Sequence, residues 1–129
     1  MATKKKKMTA KQAAKEMRAY AMTFPGAHED FPWGERVVKV KKKVFVFLGR
    51  DFGDLGMSVK LPRSRKDALA KSFCEPTGYN LGKAGWVNVS FEDKTLPPIE
   101  TLRSWMDESY RAVAPKKLIT ELDEREEEG

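Results

Sequence analysis

Cysteine occurs once in the 129 residues, at Cys74, so no internal disulfide can form. That accords with a reducing compartment and leaves stability to packing alone. No Cys/His motif accompanies Cys74, and its place near the end of a helical pattern reads as a buried structural thiol rather than a nucleophile. Long apolar runs are also missing: the longest, Val44 to Leu48, is far short of the roughly 20 residues a membrane-spanning helix needs. The four lysines Lys4 to Lys7 have no apolar segment and no small-residue cleavage pattern behind them, so a secretory signal is not expected and the cytoplasm is the expected compartment. Histidine is single as well. His28, Glu29 and Asp30 form the one cluster with catalytic or metal-binding chemistry, yet metal ligands normally converge from separate elements and no Ser or Cys nucleophile is paired with His28. The expected role is structural, with His28 in a loop, capping or hydrogen-bonding backbone near Trp33. The glycines at 78, 82 and 85 match neither G-x-G-x-x-G nor a P-loop, and a strand follows them. No metal, cofactor or enzymatic activity is expected.

What is present is a charged, aromatic-rich chain of one-domain length. Hydrophobic residues make up 40% and charged residues 34%, with 3 Trp, 3 Tyr and 7 Phe as bulky core material. The net charge of +6 is unevenly placed: Lys+Arg against Asp+Glu is 13 against 4 over residues 1–50, 9 against 9 over 51–115, and 3 against 6 over 116–129. Such a field attracts polyanions, nucleic acid or an acidic protein. The competing reading is that the Lys4 to Lys7 tract is a solvated tail that maintains solubility.

The spacing of Thr9 and Gln12 predicts a capping box opening a helix that runs to about Thr23, with Met17, Tyr20, Ala21 and Phe24 as its apolar stripe. Pro25-Gly26 ends it. From Arg36 the period becomes two: Arg36 to Val40 and Val44 to Leu48 read as strands, with Lys41-Lys42-Lys43 as the hairpin tip. A turn over Gly49 to Gly53 leads to a third strand, Leu55 to Leu61. Ser64 and Asp67 repeat the capping spacing for a short helix ending near Cys74. A glycine-rich connection precedes a strand from Trp86 to Phe91. Leu96-Pro97-Pro98 opens a last helix with Ile99, Leu102, Met106 and Val113 on one face, flanked by Trp105 and Tyr110 and closed by Pro115. Lys116 to Leu122 reads as a frayed turn, and the acidic Glu124 to Gly129 stretch as too apolar-poor to pack. The expected organisation is a basic tail over residues 1–8, a domain over 9–119 and an acidic tail over 120–129, without internal repeats.

Phe24-Pro25-Gly26-Ala27-His28-Glu29-Asp30-Phe31-Pro32-Trp33-Gly34, Lys43-Val44-Phe45-Val46-Phe47, Ser58-Val59-Lys60-Leu61, Gly78-Tyr79-Asn80-Leu81-Gly82-Lys83 with Trp86-Val87, and Asp107-Glu108-Ser109-Tyr110 occur in this order. Together they resemble the MmcQ/YjbR family from about Met8 to about Ile119. The resemblance implies an α+β single domain, α-β(3)-α-β(2)-α, with an antiparallel sheet packed by helices, similar in outline to secretion chaperones. It also carries the family's DNA-binding label. Pro97-Pro98 before the last helix and the tri-lysine hairpin depart from the family pattern.

Taken as chemistry, the hairpin Lys39, Lys41, Lys42 and Lys43, with Arg36 nearby, is a basic ribbon suited to phosphate contacts that are salt-sensitive and blind to sequence. The alternative is that lysines blunt a sheet edge. Lys60, Lys83 and Trp86 are candidates for a second part of that surface, amino groups on phosphates and an indole on a base, with Trp86 as a core residue the alternative. The second helix carries Arg63 and Arg65, further candidates for nucleic-acid backbone contacts, but lacks the preceding helix and tight turn of a recognition motif. Two rival readings remain: a protein-interaction module anchored by Trp105 and Tyr110, and a small-ligand site formed by His28, Tyr79 and Trp86. No membrane partner is expected.

Overall fold

The computed structural model describes residues 8–32, 35–48, 56–78 and 81–128. Among these the order is α1 (Ala10–Ala21), β1 (Ala27–Asp30), β2 (Arg36–Val40), β3 (Lys43–Leu48), β4 (Gly56–Lys60), α2 (Arg65–Leu69), β5 (Cys74–Pro76), a 3-10 turn (Gly82–Ala84), β6 (Trp86–Ser90), α3 (Ile99–Val113) and α4 (Lys116–Glu128). The α+β class follows directly. The expected turns over Gly49 to Gly53, together with Leu55, Trp33 and Tyr79, lie outside the described residues.

Helix α1 begins where its capping chemistry sets it: the Gln12 N–H donates to Thr9 Oγ1 at 3.1 Å and the Thr9 N–H donates to Gln12 Oε1 at 2.9 Å. The Ala10 N–H also donates to Asp93 Oδ1 at 2.7 Å, a carboxylate at a helix N-terminus. Ala10, Ala13, Met17 and Ala21 are buried, and Phe24 continues the stripe beyond the helix.

The sheet runs β1-β2-β3-β4-β6-β5 with every pair antiparallel. Its helix-covered face contributes Val38, Val40, Val46, Met57, Val59, Val87 and Val89 to one core with α1 and α3. The β2–β3 register shifts between Val38 and Lys39, leaving Phe45 without a partner, so Phe45 and Val46 are both buried. Phe45 packs edge-on to Tyr110 at 5.2 Å, and Phe24 lies 4.7 Å from the same ring. Ser109 of α3, on the apolar face at i+7 from Leu102, serves the bulge. Its Oγ accepts from the Lys60 N–H at 2.8 Å and donates to the Phe45 carbonyl. A hydroxyl is needed there because two strand backbone groups reach the core without ladder partners.

Four expectations are corrected. Residues 27–30 form an edge strand rather than a loop; its pairing with β2 is backbone-made, so Ala-His-Glu-Asp shows no apolar alternation. The second helix stops at Leu69 and Cys74 opens β5, a strand too short to leave a periodic signal. Ser64 makes no side-chain cap on α2; its hydroxyl donates instead to Glu108 Oε1 at 2.6 Å. Finally, residues 116–128 form a helix rather than a frayed turn and unpacked stretch. Leu122 is buried, Arg111 binds Asp123 at 2.8 Å and reaches Glu126 at 3.5 Å, and Arg125 Nη2 donates to the Thr23 carbonyl at 2.7 Å.

Candidate nucleic-acid interface

Val40 pairs with Lys43, so Lys41 and Lys42 alone connect the two strands. Lys41 adopts φ +57°, the left-handed region that favours glycine or asparagine and costs another side chain about 1–2 kcal/mol. All three tip lysines are exposed, and none has an ion-pair partner among the described residues.

Antiparallel register brings other cations to the same end of the sheet. Lys60 ends β4 directly opposite Trp86 at the start of β6; Arg63 follows Lys60 by three residues, and Lys83 lies in the turn leading into β6. From β2 across β3 and β4 to β6 is three strand intervals, so the row spans about 14 Å. Lys83 and Arg63 are exposed and Lys60 is half-buried. Arg65, the first residue of α2, is also exposed, beside the loop where Glu108 accepts from the Arg63 and Ser64 N–H groups at 2.8 and 2.9 Å.

Two of the basic candidates are already occupied. Arg36 lies at the far end of β2, with its guanidinium 5.3 Å from the Phe31 ring centre. Its Nε is 3.4 Å from Glu29 Oε2, close enough for charge attraction but outside hydrogen-bond geometry. Glu29 itself takes two hydrogen bonds from Arg18, at 2.7 and 3.1 Å, which hold its carboxyl below the usual carboxylate range. Lys39 Nζ pairs with Asp30 Oδ2 at 2.8 Å, and this hydrogen bond likewise lowers the Asp30 pKa.

Trp86 is 7% exposed and packs edge-on to Phe47 at 5.2 Å, which leaves its ring little surface for a base. Nearby on the sheet, Asn88 Oδ1 accepts from Ser58 Oγ at 2.6 Å and Thr77 Oγ1 at 2.7 Å, and all three residues are buried. His28 is exposed on the edge strand β1, its Nδ1 3.3 Å from the Gly26 carbonyl. The strand order separates it from Trp86 by four intervals, so His28 and Trp86 do not converge on one pocket. Among the described residues no three His, Cys, Asp or Glu side chains are placed to hold a metal ion, and no helix is long and apolar enough to cross a membrane. Trp105 and Tyr110, expected as exposed anchors for a protein partner, are core residues: Tyr110 is wholly buried and donates to the Pro25 carbonyl at 2.6 Å. Both sit on the α3 face that meets the sheet, which the apolar spacing of α3 had assigned to their neighbours alone.

The YjbR family model matches residues 22–112. The chain belongs to the YjbR family. This YjbR domain also resembles the crystal structure of Deinococcus radiodurans protein DR2400, a DUF419 domain, with a TM-score of 0.65 and 24% identity over 91% of this chain and 89% of that one. That likeness concerns the fold. No curated protein matches the sequence. The matched span of this YjbR domain takes in the tip lysines, Lys60, Arg63 and Lys83, and leaves α4 outside.

Proposed function

We propose that this YjbR domain is a non-enzymatic module that binds DNA through its phosphate backbone at the lysine end of the sheet. The observation that carries the reading is the exposed Lys41-Lys42-Lys43 tip, without an ion-pair partner among the described residues, at the same end of the sheet as Lys60, Arg63 and Lys83. Amino groups spaced across about 14 Å match successive phosphates. The backbone at Lys41 is consistent with it: a lysine stands where glycine or asparagine would fit better, so the charge there comes with a cost in stability. Arg36 and Trp86, held elsewhere, are left out of the contact set.

The test is fluorescence anisotropy with random-sequence duplex DNA over a salt series, using the full chain and a variant lacking residues 1–7, which keeps the Thr9 cap. Binding by the shortened chain with a steep salt slope is expected. Changing Lys41, Lys42 and Lys43 to Ala should flatten that slope by about three ion equivalents, roughly 0.9 per phosphate contact. Loss of all binding on removing residues 1–7 would assign the affinity to the tail and overturn the reading.

A further inference from the structure

The hairpin tip does not stand free on every side. Val40 and the three tip lysines form one wall of a groove of about 750 Å³, and residues 112–115, the corner between α3 and α4, form the other. The corner wall is Ala-Val-Ala-Pro, half-buried and without side-chain hydrogen-bonding groups, and among the described residues no acidic side chain lines the groove. Its volume lies in the range of small-molecule sites. A nucleic acid backbone engages only the lysine wall, since it has no apolar face to offer the corner wall.

We propose that this groove binds one molecule of an anionic amphiphile, a long-chain carboxylate or an equivalent single-headed anion, free in solution. The alkyl chain lies along Val113 and Pro115, and the head group sits among the ammonium groups of Lys41, Lys42 and Lys43. Charge complementarity selects the head, since among the described residues the tip lysines have no ion-pair partner to displace. The apolar wall selects the tail. The apolar wall is a single short corner, residues 112–115, enough for one alkyl chain and less than the extended apolar face with which a helix seats on a membrane. The proposal does not rest on the DNA reading, because it requires the 112–115 wall, which phosphate contacts do not use.

The experiment is displacement of a fluorescent fatty-acid analogue from the full chain by octanoate, decanoate and dodecanoate below their micellar concentrations, with dodecanol as the uncharged control. Saturable one-to-one binding is expected, tightening about two- to fourfold per added methylene. Dodecanol should bind at least tenfold more weakly than dodecanoate. Val113→Thr, nearly isosteric, should weaken dodecanoate severalfold while leaving duplex DNA binding unchanged, and Lys42→Gln with Lys43→Gln should weaken it about tenfold. Circular dichroism of each variant establishes that the fold is kept. No dependence on chain length, equal binding of dodecanol, or an unchanged Val113→Thr variant would overturn the proposal. So would binding confined to anionic vesicles or to an acidic peptide, which would make the groove a membrane or protein contact instead.

Discussion

Single residues carry more of this fold than their chemistry suggests. Ser109 is a hydroxyl in the middle of an apolar helix face, yet it joins the Lys60 N–H of β4 to the carbonyl of Phe45, the bulged residue of β3. Ser109→Ala should leave both groups buried without partners and cost about 1–3 kcal/mol, measured by denaturant unfolding. Lys41 works in the opposite direction. Replacing it by Asn relieves the left-handed backbone and should raise stability by about 1 kcal/mol, while weakening DNA binding, so the two readouts should separate in one variant. Cys74 is titration-silent near neutrality because burial pushes its thiol up to about 11 from the ordinary value of 9.0. Its folded-state pKa is the higher one, so the associated stability is fully present below pH 9 and is lost as pH rises toward 11. A Cys74→Ala variant should lack that part of the alkaline decline, and in the native protein Cys74 should alkylate far more slowly at pH 8 than in the unfolded chain.

At the scale of elements, α4 shows how little apolar material a helix needs once tertiary partners exist. Residues 123–127 are exposed, and the helix is held by Leu122, by Leu118 against the core, by Arg111 of α3, and by Arg125, which ties it to the Thr23 carbonyl in the turn after α1. Leu118 Cδ1 would lie 3.1 Å from any Cβ added at Gly26, whose φ of +73° already disfavours a side chain. Leu122→Ala should therefore free α4 locally: we expect amide protection to fall across residues 116–128 while the sheet keeps its own, by hydrogen exchange. The capping box of α1 was legible from Thr9 and Gln12 because its chemistry is local. The Ser64 cap failed for the complementary reason, since Glu108, distant in sequence, takes the hydroxyl.

Across the whole molecule, charge is segregated. The lysine tip and the row beside it lie at one end of the sheet, whereas the exposed carboxylates Glu121, Asp123, Glu124, Glu126 and Glu127 line α4. If DNA binds the lysine end, removing residues 124–129 raises the net positive charge and should increase association rates severalfold at low salt, with little effect at high salt, by stopped-flow anisotropy.

The order of the main helices and the β2–β3–β4 meander was present in the sequence, because period-two and period-3.6 burial and local caps are written in neighbouring residues. So was the basic hairpin, whose tip needs only two strands to define it. Tertiary structure alone decided the rest. It took Arg36 out of the basic surface by pairing it with Glu29, buried Trp86, Trp105 and Tyr110, and added β1, β5 and α4. It also set an apolar helix corner beside the lysine tip. Each of these depends on partners many residues away, and the affinity of a side chain for a distant partner leaves no periodic trace in the chain itself.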